Sequence, residues 1–577
     1  MGFFVFDGQQ MSGKKKETKA QHAERLKTEK NPWEALDELR AFCRRGFDAI
    51  PPEWLSTYLR WWGVYTQGDG AGALGGAGGE GRAVPFFMLR IRIPGGFLFA
   101  HQLRTVAGLA ERYARGIADI TVRQNVQLHW IAAEALPEVL DSLFRCGLTS
   151  IASCGDDTRN VTGCPLAGLD AREIFDASSL VFEASRMLAG NADFYNLPRK
   201  YKICITGCRD WCSYPEINDL ALTAVERSRD GRAELGFSLR VGGGLSTQPH
   251  FALPLGVFVH HEQTLPVIRA VTEIFRDSAV LRESRERARL KFLFLHHGWT
   301  ASRFLRELER RLGYPLEPYA AAEELANDVH RDHAGIHPQK QPGLCYVGIS
   351  IPRGRATAEQ LRTVAELSER FADGRLRATN AQNLIIVNVP LQNSVPLAHE
   401  LGVAGLHVEA SPFWRGTIAC TGAEFCKLAI TETKGFSRWL AEELEDRLPE
   451  FDQQLKLHVT GCPNSCGQHW IADIGIEGKK LKIGGQLADA YYFCLGGGTG
   501  KHAALARPVG YRCLAAEVPA AIERLLRCYL DLRGPGESLR EFFARHRDDD
   551  LRAFLAGAGA AVAREVPPGN VHSGLDG

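Results

Sequence analysis

The chain has 577 residues, of which 45% are apolar and 24% are charged, a composition typical of folded globular proteins and not of disordered or fibrous ones. Because 69 Lys and Arg residues balance 68 Asp and Glu residues, overall charge favours neither nucleic acid nor an anionic membrane as a partner, so any anion site must be a local cluster. No apolar stretch is long enough for a membrane span and no secretory leader is visible. We therefore expect a cytoplasmic protein of about three or four domains, whose 15 cysteines stay reduced and available to metals.

Three segments carry little information about function. The basic stretch KKKETKAQHAERLKTEK near the start predicts a solvated arm or helix. Residues 68–81, GDGAGALGGAGGEG, contain too much glycine for regular structure and predict a flexible loop. The residues from 556 onward, rich in Ala, Gly and Pro, predict a flexible tail.

Between these segments the chain repeats itself with a period of about 256 residues. The stretch IPGGFLFAHQLRTVAGLAERYARG, from Ile93, matches IPRGRATAEQLRTVAELSERFADG, from Ile351. Further matches follow in the same order, pairing Gln124 with Gln382, Arg159 with Arg415, Cys208 with Cys462, and Asp219 with Asp473. The repeat predicts a pseudo-two-fold architecture.

Each repeat opens with an extended run, FFMLRIRI or LCYVGISI, and continues with apolar residues at helical spacing from Leu103 or Leu361. A further strand such as VQLHWIA follows. These strand–helix–strand blocks predict an α+β fold. The Gly-Gly-Gly runs at 242–244 and 496–498 lack the context of a nucleotide-binding loop and predict tight turns.

Four cysteines in the second repeat form the strongest motif. Cys420 and Cys426 are separated by five residues, and Cys462 and Cys466 by three, within TGCPNSCGQ. Four thiolates in two close pairs suit an iron–sulfur cluster. A structural zinc site is the alternative, although its paired cysteines usually lie two to four residues apart.

The first repeat carries Cys164, Asp170, Cys208 and Cys212 at the same positions. A carboxylate therefore replaces the fourth thiol, and we interpret this half as a vestigial cluster site. One half of the duplicated protein keeps the metal, and the other is free to supply different chemistry.

Basic residues are concentrated in that first half. Arg90 and Arg92 lie two apart on a strand and should share one face, whereas their counterparts are Gly348 and Ser350. An exposed strand with alternating charges would give the same pattern. Further cations and polar residues make a bound polyanion with a small anionic substrate the better interpretation; they are Arg123, Arg159, Lys200, Lys202, Gln127 and His129.

These motifs together resemble the siroheme-dependent sulfite and nitrite reductases of the single-chain, ferredoxin-dependent type. FMLRxRxPGG, TxRQNxQLH, NLPRKxK, INDLA, VGGGLS, CTGxEFCK and TGCPNSCGQ occur in the family's order over roughly residues 25–555. The resemblance implies a siroheme whose iron shares a cysteine thiolate with a [4Fe–4S] cluster. It also implies a mixed α/β fold with two ferredoxin-like half-domains and two siroheme/Fe–S-type domains.

The resemblance also implies a role for each matching residue. The cluster ligands are Cys420, Cys426, Cys462 and Cys466, of which Cys466 also bridges to the siroheme iron. The substrate anion is held by Arg90, Arg159, Lys200 and Lys202. Contacts to the siroheme fall on Arg123, Gln127, His129 and Asn464. Tyr65 and Cys154 match a pair that some relatives join covalently.

The implied reaction is the six-electron reduction of sulfite to sulfide. Lys202 favours sulfite, because sulfite reductases of this family resemble the chain in having lysine there, whereas many ferredoxin-dependent nitrite reductases have Asn. Reduction of nitrite to ammonium is the alternative. No flavin or nicotinamide motif is present, so the resemblance implies a separate electron donor, reduced ferredoxin. We expect the enzyme to be a monomer. Other hypotheses are a non-catalytic iron–sulfur or zinc protein, and a siroheme-type enzyme of corrin synthesis, which would not need the four cations.

The resemblance and the repeat together predict six segments. A basic arm, helical segment and Gly-rich loop occupy 1–84, and a flexible tail occupies 556–577. The first repeat comprises a ferredoxin-like half-domain at 85–150 and a siroheme-type domain at 151–335. The second comprises a half-domain at 336–405 and a 4Fe–4S domain at 406–555.

Overall fold

Helices and strands follow the same order in the two repeats over residues 64–145 and 335–403. The computed structural model describes residues 17–73, 80–320 and 331–558. The helices of these residues are α1 (Lys19–Glu29), α2 (Ala35–Arg44), α3 (Pro52–Ser56), α4 (Ala100–Tyr113), α5 (Leu136–Arg145), α6 (Ser178–Leu188), α7 (Thr264–Asp277), α8 (Phe292–His296), α9 (Ala301–Leu312), α10 (Ala358–Phe371), α11 (Ser394–Val403), α12 (Pro412–Gly416), α13 (Lys434–Arg447), α14 (Val518–Leu532), α15 (Leu539–Arg545) and α16 (Asp548–Ala556).

The strands of the first repeat are β1 (Val64–Gly68), β2 (Ala83–Ile91), β3 (Phe97–Phe99), β4 (Ile117–Ile120), β5 (Val126–Ala132), β6 (Ile203–Thr206), β7 (Leu220–Arg229), β8 (Arg232–Val241), β9 (Leu253–Val259) and β10 (Glu317–Pro318). Those of the second are β11 (Gly335–Pro338), β12 (Leu344–Ile349), β13 (Arg355–Thr357), β14 (Arg375–Ala378), β15 (Leu384–Pro390), β16 (Thr417–Ala419), β17 (Leu457–Thr460), β18 (Ile474–Ile483), β19 (Gln486–Leu495) and β20 (Arg507–Leu514).

The two ferredoxin-like half-domains exchange an edge strand. Their sheets have the orders β1-β2-β5-β4-β13 and β11-β12-β15-β14-β3. Strand β13 of the second repeat pairs with β4 of the first, and β3 of the first pairs with β14 of the second. Because α4 and α10 also pack together over one continuous apolar core, neither half-domain is complete without the other.

A pair of equivalent glutamines joins the repeats at their pseudo-two-fold axis. The Nε2 atom of Gln124 donates to the carbonyl of Ala378 at 3.1 Å, and that of Gln382 donates to the carbonyl of Ile120 at 3.0 Å. Both glutamines have left-handed backbone angles, with φ of 57° and 63°. The two glutamines that the repeat aligns therefore link the two halves.

Each repeat adds a second five-stranded sheet, in the orders β10-β9-β8-β7-β6 and β16-β17-β18-β19-β20. The parallel pairs β6–β7 and β17–β18 occupy equivalent places, and the loops that follow β6 and β17 carry the C-x3-C pairs. The glycine triplets form turns, in which the amides of Gly242 and Gly496 donate to the carbonyls of Asp219 and Asp473. The duplicated α+β architecture is thus as the sequence predicts.

The basic stretch near the N-terminus is only partly solvated. Its described part forms α1, where the side chain of Lys27 is 2% exposed and donates to the carbonyl of Leu197 at 2.8 Å and to Asp156 at 3.3 Å. Residues 1–16, 74–79 and 559–577 lie outside the described residues, so the flexible loop and tail remain predictions there. Within the described chain, no helix has the length and apolar character needed to cross a membrane.

Candidate functional site

The four cysteines of the second repeat come together because their loops follow adjacent parallel strands. Strands β16 and β17 are paired in parallel, so their carboxyl ends meet at one edge of the sheet. Cys420 and Cys426 lie in the loop after β16, and Cys462 and Cys466 lie in the loop after β17. Cys462 is buried, whereas Cys466 is exposed.

Backbone amides surround these sulfurs. The amide of Gly461 donates to Cys420 Sγ at 3.3 Å. Amides of Leu428 and Ala429 also interact with the Cys426 thiol, and that of Asn464 interacts with the Cys462 thiol. Such donors stabilise sulfur that carries negative charge, as it does when bound to a metal.

The spacing of the sulfurs fits a cluster better than a single ion. Among the described residues, no three of the four cysteine sulfurs lie within 4.8 Å of one another. The group of metal-binding side chains that is this compact lies in the other half and consists of Asp170, Cys208 and Asp210. Zn–S bonds of about 2.3 Å would place the sulfurs of a tetrahedral site about 3.8 Å apart. Burial, together with the neighbouring Cys466, raises the pKa of Cys426 to about 12, so Cys426 needs a cationic centre to become thiolate. The residues therefore fit an iron–sulfur cluster.

The glycine-rich segment packs on the same cysteine loop. The amides of Gly68, Ala73 and Gly81 donate to the carbonyls of Phe425, Ala429 and Lys427, at 2.8, 2.6 and 2.7 Å. A Cβ atom on Gly72 would lie 2.5 Å from the carbonyl oxygen of Ala429. Glycine is thus needed for this close approach, and the described ends of the segment cover the cluster loop.

Two arginines of the first repeat converge on one carbonyl. Arg90, in β2, and Arg159 donate to the Ser153 carbonyl at 3.0 and 2.7 Å. Arg90 also lies 2.9 Å from Cys154 Sγ, and the amide of Gly155 donates to the Tyr65 hydroxyl at 3.1 Å. The strand and the loop therefore present two guanidinium groups side by side, next to the Tyr65 and Cys154 pair.

Lys200 and Lys202 approach the same region just before β6 begins at Ile203. Burial and the neighbouring arginines lower the pKa of Lys200 to about 8, against the opposing influence of Cys466. Burial and the cations Arg123, Arg289 and Lys200 place the pKa of Lys202 well below its usual value. Within the described residues neither ammonium group forms an ion pair.

A buried carboxylate fixes the position of Lys202. Asp219 accepts a hydrogen bond from the Lys202 amide at 2.8 Å and binds Arg289 through both oxygens, at 3.1 and 2.7 Å. Arg123 lies nearby and donates to Asn218 at 2.8 Å and to the carbonyl of Asn160 at 2.5 Å. This group brings together distant parts of the first repeat.

Gln127 and His129 lie on β5 and are buried. The ring of His129 stacks on Phe425 of the C-x5-C loop with centroids 3.9 Å apart. Its Nε2 atom lies 3.4 Å from Asp119, which also binds Arg355 at 2.8 Å. The structure therefore brings His129 against the cysteine loop, and the cations Arg90 and Arg159 against each other.

The first-half pocket holds more positive charge than its described residues neutralise. The Nε atoms of Arg123 and Arg159 are buried and have no hydrogen-bond partner among the described residues. Unpaired buried donors and cations are costly, so the pocket fits an anionic group. Siroheme, with its carboxylates, and a small oxyanion have this charge.

In the first repeat the equivalent of the cluster is an ion-pair network. Arg331 binds Asp170 and also Asp210, the latter at 3.1 Å, while Arg172 binds Asp210 at 2.8 Å. Cys164, Cys208 and Cys212 are buried in an apolar cluster beside them. The structure thus has a guanidinium next to the carboxylate that replaces the fourth cysteine.

The structure adds three residues to the site that the sequence analysis did not name, two of them outside the motifs. Arg289 reaches Asp219 from 70 residues further along the chain. Thr433 follows the CTGAEFC motif and donates to the Cys420 carbonyl at 2.7 Å. Phe425 lies inside that motif, so its proximity to the cluster, although not its contact with His129, could have been found from the sequence.

Comparisons with known proteins agree with this geometry. Residues 154–316 and 411–546 match the family described as the nitrite and sulphite reductase 4Fe-4S domain. Residues 81–144 and 337–404 match the nitrite/sulfite reductase ferredoxin-like half domain.

Relatives of both names are similar over nearly the whole chain. The assimilatory ferredoxin-dependent nitrite reductase of Haloferax mediterranei is 34% identical, covering 90% of each chain. The sulfite reductase [ferredoxin] of Mycobacterium tuberculosis H37Rv is 37% identical, covering 92% of this chain and 95% of that one. The structure of the Mycobacterium tuberculosis NirA protein superimposes with a TM-score of 0.87 at 36% identity, covering 92% of this chain and 97% of that one. The chain therefore belongs to the nitrite and sulfite reductase family, whose members carry siroheme and a [4Fe–4S] cluster.

Proposed function

We propose that this protein reduces sulfite to sulfide with electrons from reduced ferredoxin. The observation that carries the proposal is the convergence of Arg90 and Arg159 on one carbonyl, in a pocket where Lys200 lies within the electrostatic influence of Cys466. Cations that can hold an oxyanion therefore lie near Cys466, the proposed ligand of the metal centre.

The cofactors would be held by residues of both halves. Cys420, Cys426, Cys462 and Cys466 would hold the cluster. Siroheme would bind to Cys466, with Arg123, Gln127, His129 and Asn464 as further contacts. When bound, the siroheme supplies a coordination site for the anion and delivers the electrons one at a time.

The protein's own residues bind the anion and move protons. A guanidinium group is a poor proton donor because arginine stays charged in proteins, so the role of Arg90 and Arg159 is to hold the substrate oxygens and stabilise negative charge as each S–O bond breaks. Lys200 and Lys202 have depressed pKa values and can release protons near neutral pH. Six electrons and seven protons convert sulfite into hydrosulfide and three waters, so proton delivery is a repeated requirement.

Lys202 supports sulfite over nitrite. Sulfite carries two negative charges and nitrite carries one, so a second lysine in the pocket stabilises sulfite more strongly. Because relatives of both names are about equally similar to this chain, the substrate proposal depends on Lys202, and nitrite reduction to ammonium is the second candidate.

The surroundings of the enzyme are also part of the proposal. All fifteen cysteines lie within the described residues and none is in a disulfide, which supports a reducing compartment such as the cytoplasm. Relatives are named for ferredoxin, and we infer the same donor here. We also infer that the enzyme acts as a monomer.

A turnover assay on protein from a siroheme-competent host tests the proposal. The assay compares sulfide formed from sulfite with ammonium formed from nitrite, each at limiting substrate and with the same low-potential donor. We expect the higher kcat/KM for sulfite. A higher value for nitrite would replace the substrate, and the absence of haem-like absorption and iron would refute the enzyme assignment itself.

A further inference from the structure

Residues 331–334 lie at the second repeat's counterpart of the anion pocket. In the first repeat the Arg90 amide donates to the carbonyl of Gly63, just before β1. In the second repeat Gly335 begins β11 and pairs with Gly348, the counterpart of Arg90. The residues before Gly335 therefore correspond in position to those before Gly63.

This register places an acidic residue, Asp332, where the first repeat has a basic one. Three residues before Gly63 is Arg60, and three residues before Gly335 is Asp332. Asp332 binds Arg415, the counterpart of Arg159, through both oxygens at 2.9 and 2.8 Å. In the second repeat, the counterpart of the anion-binding guanidinium is thus already paired with a carboxylate of the same chain.

The neighbouring residues fill the rest of the counterpart pocket. Arg331 binds Asp170 and Asp210 beside the vestigial cysteines, and its Nη2 atom donates to the Tyr346 hydroxyl at 3.1 Å. A Cβ atom on Gly348 would lie 1.7 Å from the carbonyl oxygen of His333. The backbone of this segment therefore occupies the space of the side chain that Arg90 contributes in the first repeat.

We propose that Arg415 forms a latent oxyanion-binding site whose occupant is the carboxylate of Asp332. The carboxylate has the negative charge and the two oxygens that a bidentate guanidinium contact requires. The side chain of Asp332 is 7% exposed and that of Arg415 is 35% exposed, so a small anion from solution could reach Arg415 once the carboxylate is removed. The pairing leaves the anion-binding role to the first repeat.

An ordinary structural ion pair is the competing explanation. In that case the loss of Asp332 would destabilise the protein, but no ion would take its place. The two explanations differ in what binds to Arg415, whichever anion the first repeat reduces and even if the proposed function is wrong.

Crystals of the holoenzyme soaked in selenate test the proposal, because selenium can be located by its anomalous signal. In Asp332→Ala we expect selenium at Arg415, and in the wild type none there. The double variant Asp332→Ala/Arg415→Gln should lose it again. Asp549→Ala removes the acidic partner of an exposed pair with Arg552 and is the matched control, with no selenium at Arg415. Selenium at Arg415 in the wild type, or its absence in Asp332→Ala, would overturn the proposal.

If Asp332→Ala does not fold, Asp332→Asn keeps the shape of the side chain without its charge. Sulfate should then raise the melting temperature of Asp332→Asn more than that of the wild type, and the excess should disappear in Asp332→Asn/Arg415→Gln. An equal shift in the wild type and in Asp332→Asn would contradict an anion site at Arg415.

Discussion

The loops after β16 and β17 carry four cysteines, whereas the equivalent loops of the first repeat carry three cysteines and Asp170. Around the four cysteines, backbone amides point at the sulfurs. Around Asp170, the Arg331 guanidinium supplies a fixed positive charge. A carboxylate can be neutralised by the chain itself, while four thiolates need a metal centre. Asp170 in place of a fourth cysteine, with the arginines that bind it and Asp210, therefore makes the first site an ion-pair site.

The anion pockets show the reverse distribution. The first repeat collects Arg90, Arg159, Lys200 and Lys202 without enough described carboxylates to neutralise them, whereas the second repeat pairs Arg415 with Asp332. The unpaired cations lie in one half and the cysteine quartet in the other. The reactive centre that we propose would lie between the halves, and exchanging equivalent residues between them should have very unequal effects.

The largest inequality is expected between Cys466→Ser and Cys212→Ser. The first should reduce sulfite turnover to background, because it removes the sulfur that we propose the cluster and the siroheme iron would share, and should alter the visible spectrum. The second changes a residue of the vestigial site and should leave iron content and turnover unchanged. Iron analysis, absorption spectra and steady-state assays check both variants, and equal losses would contradict the division of roles.

A smaller but still large difference is expected between Arg159→Gln and Arg415→Gln. Loss of a charge-stabilising donor costs about 100-fold in rate, so kcat/KM of Arg159→Gln should fall by about that factor. Arg415→Gln should stay within about twofold in kcat/KM, but it leaves Asp332 without its partner and should melt at a lower temperature. A comparable loss of kcat/KM in both variants would place Arg415 in the reaction.

Much of this comparison could be predicted from the sequence. The repeat fixes the equivalent positions, and the spacing of Cys420, Cys426, Cys462 and Cys466 indicates the cluster because short loops at the ends of adjacent strands must converge. The strand exchange could not be predicted, since β3 and β13 are only three residues long and nothing in their local pattern specifies a partner. The proposed domain boundaries stay predictions.

The contents of the second pocket were also beyond the sequence. Asp332 and Arg415 are 83 residues apart, and only the register of β11 on β12 shows that Asp332 takes the place of Arg60. The position of Lys202 was likewise beyond the motifs, since its amide is held by Asp219, which lies 17 residues further along the chain.

Lys202 should influence the choice between sulfite and nitrite, whereas its counterpart Lys456 should not. Asp219 and Asp473 hold the two backbone amides equally, both at 2.8 Å, but the Lys456 ammonium donates to the Ile471 carbonyl at 3.1 Å. Lys202→Asn should lower the ratio of the kcat/KM values for sulfite and nitrite by about tenfold, or about 1.4 kcal/mol. Lys456→Asn should leave the ratio unchanged. An unchanged ratio in Lys202→Asn would remove Lys202 as the determinant.

The smallest expected effect concerns pH, and it separates Lys200 from its counterpart Gln454, which cannot titrate. Burial lowers the pKa of Lys200 to about 8, so the ammonium form that donates the proton is lost as pH rises through this value. Wild-type kcat/KM for sulfite should therefore fall about fourfold between pH 6.5 and pH 8.5. In Lys200→Gln, kcat/KM should be lower at every pH but constant over this range, because glutamine, the residue at the equivalent position 454, does not titrate. If Lys200→Gln keeps the same alkaline decline, another group titrates, and Lys200 acts only through its charge.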